Sequence, residues 1–361
     1  MRRDFDLQPD GTDAEPPGPE RNRRDPLVPS GCCGSLRDAD PKPRRFDAAR
    51  LSVSGNGTPH GHKSITMPLD LSRRLAESEP LLLDGATGTE LERRGAQTEL
   101  PLWSARALVD LPDRVREIHS DYVEAGAEIL TANTFRTQRR TLERGGLGGR
   151  AEDLTVLAVQ LARRAADTAA PGREVFVVGS APPLEDCFEP GRVPDDTRLE
   201  REHVEHAAHL VRAGVDAILV ETMNTTREAI AALRAARRAG VPALVSFVCW
   251  EGARLLSGEA LETALDEVAA ENPVAVGVNC LPPSNVTACL PVLRASGLAF
   301  SVYANTGAPD RDVGHPRGED WPPDEFADCA MGWLDGGARI VGGCCGTTPA
   351  HVRAMAQRMR R

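Results

Sequence analysis

Ala217-Ile218-Leu219-Val220-Glu221, followed after a short turn by the Ala-, Arg- and Glu-rich residues 227–239, sets the pattern for the whole chain. The first part is a near-continuous apolar run, as expected of a strand buried on both faces. The second has the length and spacing of a helix laid over such a strand. Apolar runs recur at 81–84, 128–131, 175–179, 243–248, 275–280, 299–303 and 339–342, with helical segments such as 261–270 between them. Strands that each lead into a helix imply a parallel sheet covered by helices. About eight β-then-α units over about 280 residues match the size and repeat of a (β/α)8 TIM-type barrel. An open doubly wound sheet is the alternative, and a Gly-rich dinucleotide turn should then follow its first strand. Asp84-Gly85-Ala86-Thr87-Gly88-Thr89 comes near that turn without its G-x-G-x-x-G spacing. The barrel is favoured.

Bulk properties narrow the function. The chain has 361 residues, 41% of them hydrophobic, with a formal net charge of -10, and a pI of about 5.4. That charge argues against a nucleic-acid partner. No apolar run approaches the roughly 20 residues needed to cross a bilayer, so no membrane partner is expected. The N-terminus carries no apolar signal-peptide core, which points to a reducing cytoplasm. The 9 cysteines are there read as thiols or metal ligands.

Residues 1–66 differ from the rest. Pro16-Pro17-Gly18-Pro19, Pro41-Lys42-Pro43 and Ser52-Val53-Ser54-Gly55-Asn56-Gly57 show no helical or strand period. Apolar residues are too sparse there to offset the entropy of ordering. The expectation is a disordered N-terminal extension, with 67–361 as the barrel and Met67 as a rival translation start. Gly31-Cys32-Cys33-Gly34 repeats a later tetrapeptide, but no strand leads into it and no helix leaves it. A motif without its context is weak evidence.

In such barrels the active site is built from the C-terminal ends of the strands. Those ends carry Asp84 and Gly85, Asn133-Thr134-Phe135, Ser180 with Cys187 further on, Glu221-Thr222, Cys249-Trp250, Asn279-Cys280, Asn305-Thr306-Gly307 and Cys344-Cys345. Barrel closure brings Cys280 to the same rim as Cys344 and Cys345. Three thiolates with one open position describe a zinc site able to accept a substrate thiol. A lone Cys at a strand end is otherwise a small buried hydrophobe. Cys187 and Cys249 sit near the rim without a paired context, and Cys289 and Cys329 fall in helices as packing residues. Asp84 and Glu221 are either loop carboxylates or counter-charges for a substrate ammonium. Gly85, near a helix start, could let backbone N–H groups meet a carboxylate. With a thiophilic metal, this set points to a thiol-bearing amino acid.

The motifs Asp84-Gly85-Ala86-Thr87-Gly88-Thr89-Glu90-Leu91, Asn133-Thr134-Phe135, Ala181-Pro182-Pro183-Leu184-Glu185-Asp186 and Glu221-Thr222 resemble those of homocysteine S-methyltransferases. So do Leu256-Ser257-Gly258-Glu259, Gly277-Val278-Asn279-Cys280 and Gly342-Gly343-Cys344-Cys345-Gly346. The resemblance implies zinc-dependent methyl transfer to homocysteine, giving methionine. It puts Zn2+ on Cys280, Cys344 and Cys345, the homocysteine ammonium on Asp84 and Glu221, and its carboxylate near Gly85. Asn133 and Asn305 are further candidates for substrate binding. The implied donor is small: S-methylmethionine, S-adenosylmethionine or a betaine. Candidates for an aromatic cage around a methylated cation are Trp103, Trp250, Trp321 and Tyr303. The Asn133-Thr134-Phe135 turn departs from the Ser-Ser-Tyr-Gln pattern of S-methylmethionine-using members. The competing readings are methylation of another thiol or selenol, such as selenocysteine, and a non-catalytic zinc- or corrinoid-binding partner.

Overall fold

The computed structural model describes residues 69–307 and 321–360. The expected extension 1–66, with Cys32 and Cys33, lies outside them. Eight strands run parallel: β1 (Leu81–Leu82), β2 (Ile129–Ala132), β3 (Phe176–Ala181), β4 (Ala217–Met223), β5 (Ala243–Phe247), β6 (Ala275–Asn279), β7 (Phe300–Ala304) and β8 (Ile340–Gly343). Each pairs with its sequence neighbour from β2 to β8, and β8 returns to β1. The last seam is thin. A single parallel bridge joins Leu83 to Ile129, flanked by Glu128 N–H on Leu82 O at 2.8 Å and Asp84 N–H on Ile129 O at 3.0 Å. The expected barrel is therefore present and nearly closed.

The period of two along each strand decides which residues fill the barrel and which meet the helices. Leu81, Leu83, Ile129, Phe176, Val178, Leu219, Leu244, Tyr303 and Ile340 pack together inside. Their neighbours Leu82, Leu130, Val177, Ile218, Val220, Val245 and Val341 join the helix-facing core instead. The helix Thr226–Arg238 shows why the intervening segments close over the strands. Thr225 accepts the Glu228 N–H at its start, Arg237 and Arg238 sit in the last turn, and Ala229, Ala232, Leu233 and Ala236 form the buried stripe. Cation placement at a helix C-terminus complements its dipole.

One element escaped the sequence pattern. A short helix, Leu71–Ala76, precedes β1, and Leu71 and Leu75 cap the interior cluster at the end of the barrel where the strands begin. Arg339, at the start of β8, donates to the carbonyls of Leu75, Glu77, Ser78 and Glu79, fixing the helix exit. Leu69 N–H reaches Asp216 Oδ1 at 3.0 Å. The plug leaves the opposite end of the barrel for chemistry.

Candidate active site

At that opposite end a cavity of about 500 Å³ is lined from nearly every strand terminus. Cys280, Cys344 and Cys345 meet on one wall, with their sulfur atoms all within 4.8 Å of one another. Three thiolates on one ion with bonds of about 2.3 Å stand about 3.8 Å apart in a tetrahedron, so this span fits a single soft cation. Cys280 adopts φ 57, a left-handed conformation costing about 1–3 kcal/mol and typical of functional positions. The Cys344-Cys345 pair is set by its own turn. Cys344 N–H donates to Ala304 O at 2.7 Å, and Thr306 N–H donates to Cys345 O at 3.0 Å. The following Gly346 has φ +84, and a Cβ there would stand 2.0 Å from Thr306 Oγ1. No other residue type fits that exit.

The thiols polarise one another. Cys344 is held well below the usual thiol range by hydrogen bonds from Cys280 and then Cys345, while the same contact with Cys344 pushes Cys280 well up. Two carboxamides support them. Asn305 Nδ2 lies 3.8 Å from Cys280 Sγ, and Asn279 Nδ2 lies 4.0 Å from Cys344 Sγ. Asn305 was expected to touch substrate. Instead it is fully buried behind Cys280 and is not part of the cavity wall.

Across the cavity stand the two carboxylates. Asp84 accepts the Thr131 N–H at 2.8 Å, and Glu221 is bonded by Ser180 Oγ. A register shift between Val220 and Met223 lifts Glu221 and Thr222 out of the regular ladder, and Thr222 has φ 57. Bulges of this kind re-aim side chains at active sites. Burial pushes both carboxyls up to about 8, with the charge of Cys344 adding to the effect on each. Two buried acids facing a largely apolar cavity are complementary to a cation. Gly85 lies beside Asp84 on the wall, where a Cβ would meet Thr347 Oγ1 and Tyr122 Cε1, each at 2.8 Å. Asn133 also lines the cavity, although its amide N–H is already given to Ser104 O at 2.9 Å.

Some residues gain a place that the strand ends did not suggest. Tyr303 forms the floor: it points inward, is 2% exposed, and its hydroxyl lies against Glu221 and Ser246. Phe188 and Trp250 stack at 5.3 Å and pack against the cluster of Val248, Cys280 and Cys345. Trp103 and Phe135 meet edge to face at 5.8 Å. Trp103, Trp250 and Tyr303 thus line the cavity as expected of cage candidates. Trp321 does not, and its carbonyl is bonded to His351 Nε2 at 3.0 Å. Cys187 is on the wall, whereas Cys249 is fully buried outside it. Phe188 could have been found in the sequence only by knowing which loop residues fold back over the rim.

A parallel eight-stranded barrel with three rim thiols across from two buried carboxylates describes a class of protein with one cavity suited to a soft metal ion and a cationic small molecule. The comparisons give that class its family. The profile of the homocysteine S-methyltransferase family matches residues 81–359. The chain belongs to that family and is an S-methyltransferase. Homocysteine S-methyltransferase 1 of Zea mays is 31% identical over 304 residues, covering 76% of this chain and 93% of the relative. Selenocysteine Se-methyltransferase of Brassica oleracea var. italica is 29% identical over 309 residues, covering 77% and 88%. The crystal structure of the homocysteine methyltransferase MmuM from Escherichia coli in its metallated form is similar with a TM-score of 0.69 at 30% identity, covering 79% of this chain and 98% of that one.

Proposed function

We propose that the chain transfers a methyl group from a small onium donor to the sulfur of homocysteine, giving methionine, with zinc on Cys280, Cys344 and Cys345. The observation that carries this is the pairing, in one cavity, of a three-thiol cluster with two buried carboxylates. Zinc, when bound, would keep the acceptor sulfur as thiolate at neutral pH, where a free thiol of pKa about 8.5 is mostly protonated.

The chain's own residues do the rest. Asp84 and Glu221 hold the acceptor ammonium, giving up their protons to do so, and Gly85 lies near its carboxylate. Asn305 and Asn279 direct N–H groups at the cysteine sulfurs and hold their orientation, as groups beyond the ligands commonly do. Asn133 shapes the wall by fixing the Ser104 loop. Phe188 and Trp250 keep water from the thiols. The new sulfur–carbon bond forms as the donor's carbon–heteroatom bond breaks, and the electron pair leaves on a neutral donor product. Alignment is therefore the main catalytic demand, and no side chain need act as a general base.

Methylation of selenocysteine is the second reading, supported by the name of the Brassica relative. Among the described residues no helix is long and apolar enough to cross a membrane, and every described cysteine is free. We propose a cytoplasmic protein with residues 67–361 as the catalytic unit. The test is product formation from homocysteine and from selenocysteine with a panel of methyl donors, before and after chelation and zinc return. Turnover undiminished by chelation would sink the metal-thiolate reading, and selenocysteine preferred over homocysteine would exchange the acceptors.

A further inference from the structure

Among the described residues Arg136 is the only basic side chain on the cavity wall, against the acids Asp84, Asp186, Glu189 and Glu221. Its guanidinium carbon lies 5.3 Å from the centroid of the Phe135 ring. Its Nε is buried and without a hydrogen-bond partner among the described residues. The two acids on the neighbouring loop are already engaged. Asp186 Oδ1 accepts the Phe188 N–H at 2.9 Å, and Glu189 is paired with Arg192 at 3.1 Å. A guanidinium is a fork matched to a planar carboxylate, and burying part of it unpaired is costly unless a ligand completes it.

The placement relative to the aromatic walls is informative. Phe135 and Trp103 form one edge-to-face pair and Phe188 and Trp250 another, so the cavity offers π faces for an onium cation. Arg136 follows Phe135 in sequence and stacks on it, which puts an anion-binding group beside a cation-binding one. A ligand using both carries a positive methylated centre and a carboxylate. The acceptor's own carboxylate has a separate place near Gly85, beside Asp84.

We propose that Arg136 binds the carboxylate of the methyl donor and so selects carboxylate-bearing onium donors over bare ones. Sulfonium amino acids and betaines share this chemistry; a bare alkyl sulfonium lacks it. The inference rests on the methyl-transfer reading given above and names a specificity-determining residue for that site. Arg136 contacts the donor's carboxylate and takes no part in the bond change.

The experiment compares purified, zinc-loaded wild-type, Arg136→Gln and Arg136→Lys enzymes with homocysteine as acceptor. The donors are S-methylmethionine, glycine betaine and trimethylsulfonium, and KM and kcat are measured separately for each. Arg136→Gln should raise KM for the carboxylate-bearing donor that the wild type uses by about tenfold or more, the scale of a lost charged hydrogen bond. Its kcat and its KM for homocysteine should stay within about twofold, since a contact equal in ground and transition states changes KM alone. Arg136→Lys should recover part of the loss, and trimethylsulfonium, poorer with the wild type, should be indifferent to both changes. Which of the first two donors responds separates a sulfonium amino acid from a betaine. An equal KM change with trimethylsulfonium, or none with any donor, would overturn the assignment while leaving methyl transfer intact. A wild type that transfers from none of the three would overturn the donor reading itself. Melting temperatures of the variants should match the wild type, because Arg136 makes no hydrogen bond in the described structure; a fall of several degrees would mark a structural residue and overturn the proposal.

Discussion

The Asn279 carboxamide grips Thr222 from both ends: its Oδ1 accepts the Thr222 N–H at 2.9 Å and its Nδ2 reaches Thr222 Oγ1 at 2.8 Å. Thr222 is the left-handed residue after Glu221, and the same Nδ2 lies 4.0 Å from Cys344 Sγ. One buried side chain on β6 thus ties the carboxylate arm on β4 to the thiol pair after β8.

Replacing it should disturb both sides of the cavity. Asn279→Ala leaves the Thr222 N–H unpaired in a buried setting, at a cost of about 1–3 kcal/mol. We expect a lower denaturation midpoint together with weaker metal retention against a chelator, by about tenfold, the lower end for lost outer-shell partners. A variant with reduced stability and unchanged metal affinity would confine Asn279 to the Thr222 turn.

Acceptor binding should release protons. With Asp84 and Glu221 pushed up to about 8 by burial, both are largely protonated in the ligand-free site at pH 7. An ammonium favours their ionised forms. Calorimetric titration of homocysteine in buffers of different ionisation enthalpy should therefore show more protons released than a thiol lacking the amine. The excess should be about one to two near pH 7 and fall toward zero above pH 9. The sign for folding is opposite to that of a salt-bridged acid. A carboxyl raised in the folded state stabilises it fully below the unfolded pKa of about 4, and this contribution is lost as pH climbs toward 8. Unliganded protein should lose stability across that window, and Asp84→Asn should flatten the slope.

Metal removal should abolish transfer while sparing the fold. The three cysteines sit on the rim, and the barrel interior is filled mainly by Leu, Ile, Val and Phe side chains, with Cys344 only packed against its edge. Dialysis against a chelator should lower turnover by about a hundredfold or more, as expected when several kcal/mol of metal assistance is lost. The far-ultraviolet dichroism should not change. Cys280→Ser and Cys344→Ala should each cut bound zinc below one per chain; full retention in either would implicate other ligands.

Deleting residues 1–66 should leave turnover and melting temperature unchanged, because the apolar pattern that builds the barrel begins after them. Loss of soluble expression would show that the segment contributes to folding.

Much of this was legible beforehand because strand burial writes itself into sequence. All eight apolar runs became strands within one or two residues, and the helices expected at 227–239 and 261–270 appear at Thr226–Arg238 and Leu261–Ala269. β1 shrank to Leu81–Leu82 because the closing seam with β2 is a single bridge at Leu83. The plug helix was missed since its six residues hold one amphipathic turn and little period to detect. The helix Asp196–Ala213 carries charges of both signs along its length, yet it buries His203, His206 and His209. His203 pairs with Glu228 at 3.2 Å and His206 with Ser180 O at 3.1 Å. Polar residues satisfied by distant partners look exposed in a linear reading.

The sequence by itself determined the barrel, the strand ends that carry polar residues, and the three cysteines that could share an ion. Those follow from local period and from one topological rule about where barrel strands finish. Tertiary structure alone decided that Asn305 faces Cys280 rather than the cavity, that Trp321 is not on its wall, and that Arg136 is. These outcomes depend on side-chain direction at loops whose φ/ψ no periodicity constrains, as at Thr222 and Cys280 with their φ of 57. Strands are specified by what they bury; a site is specified by how the chain turns once burial no longer dictates the answer.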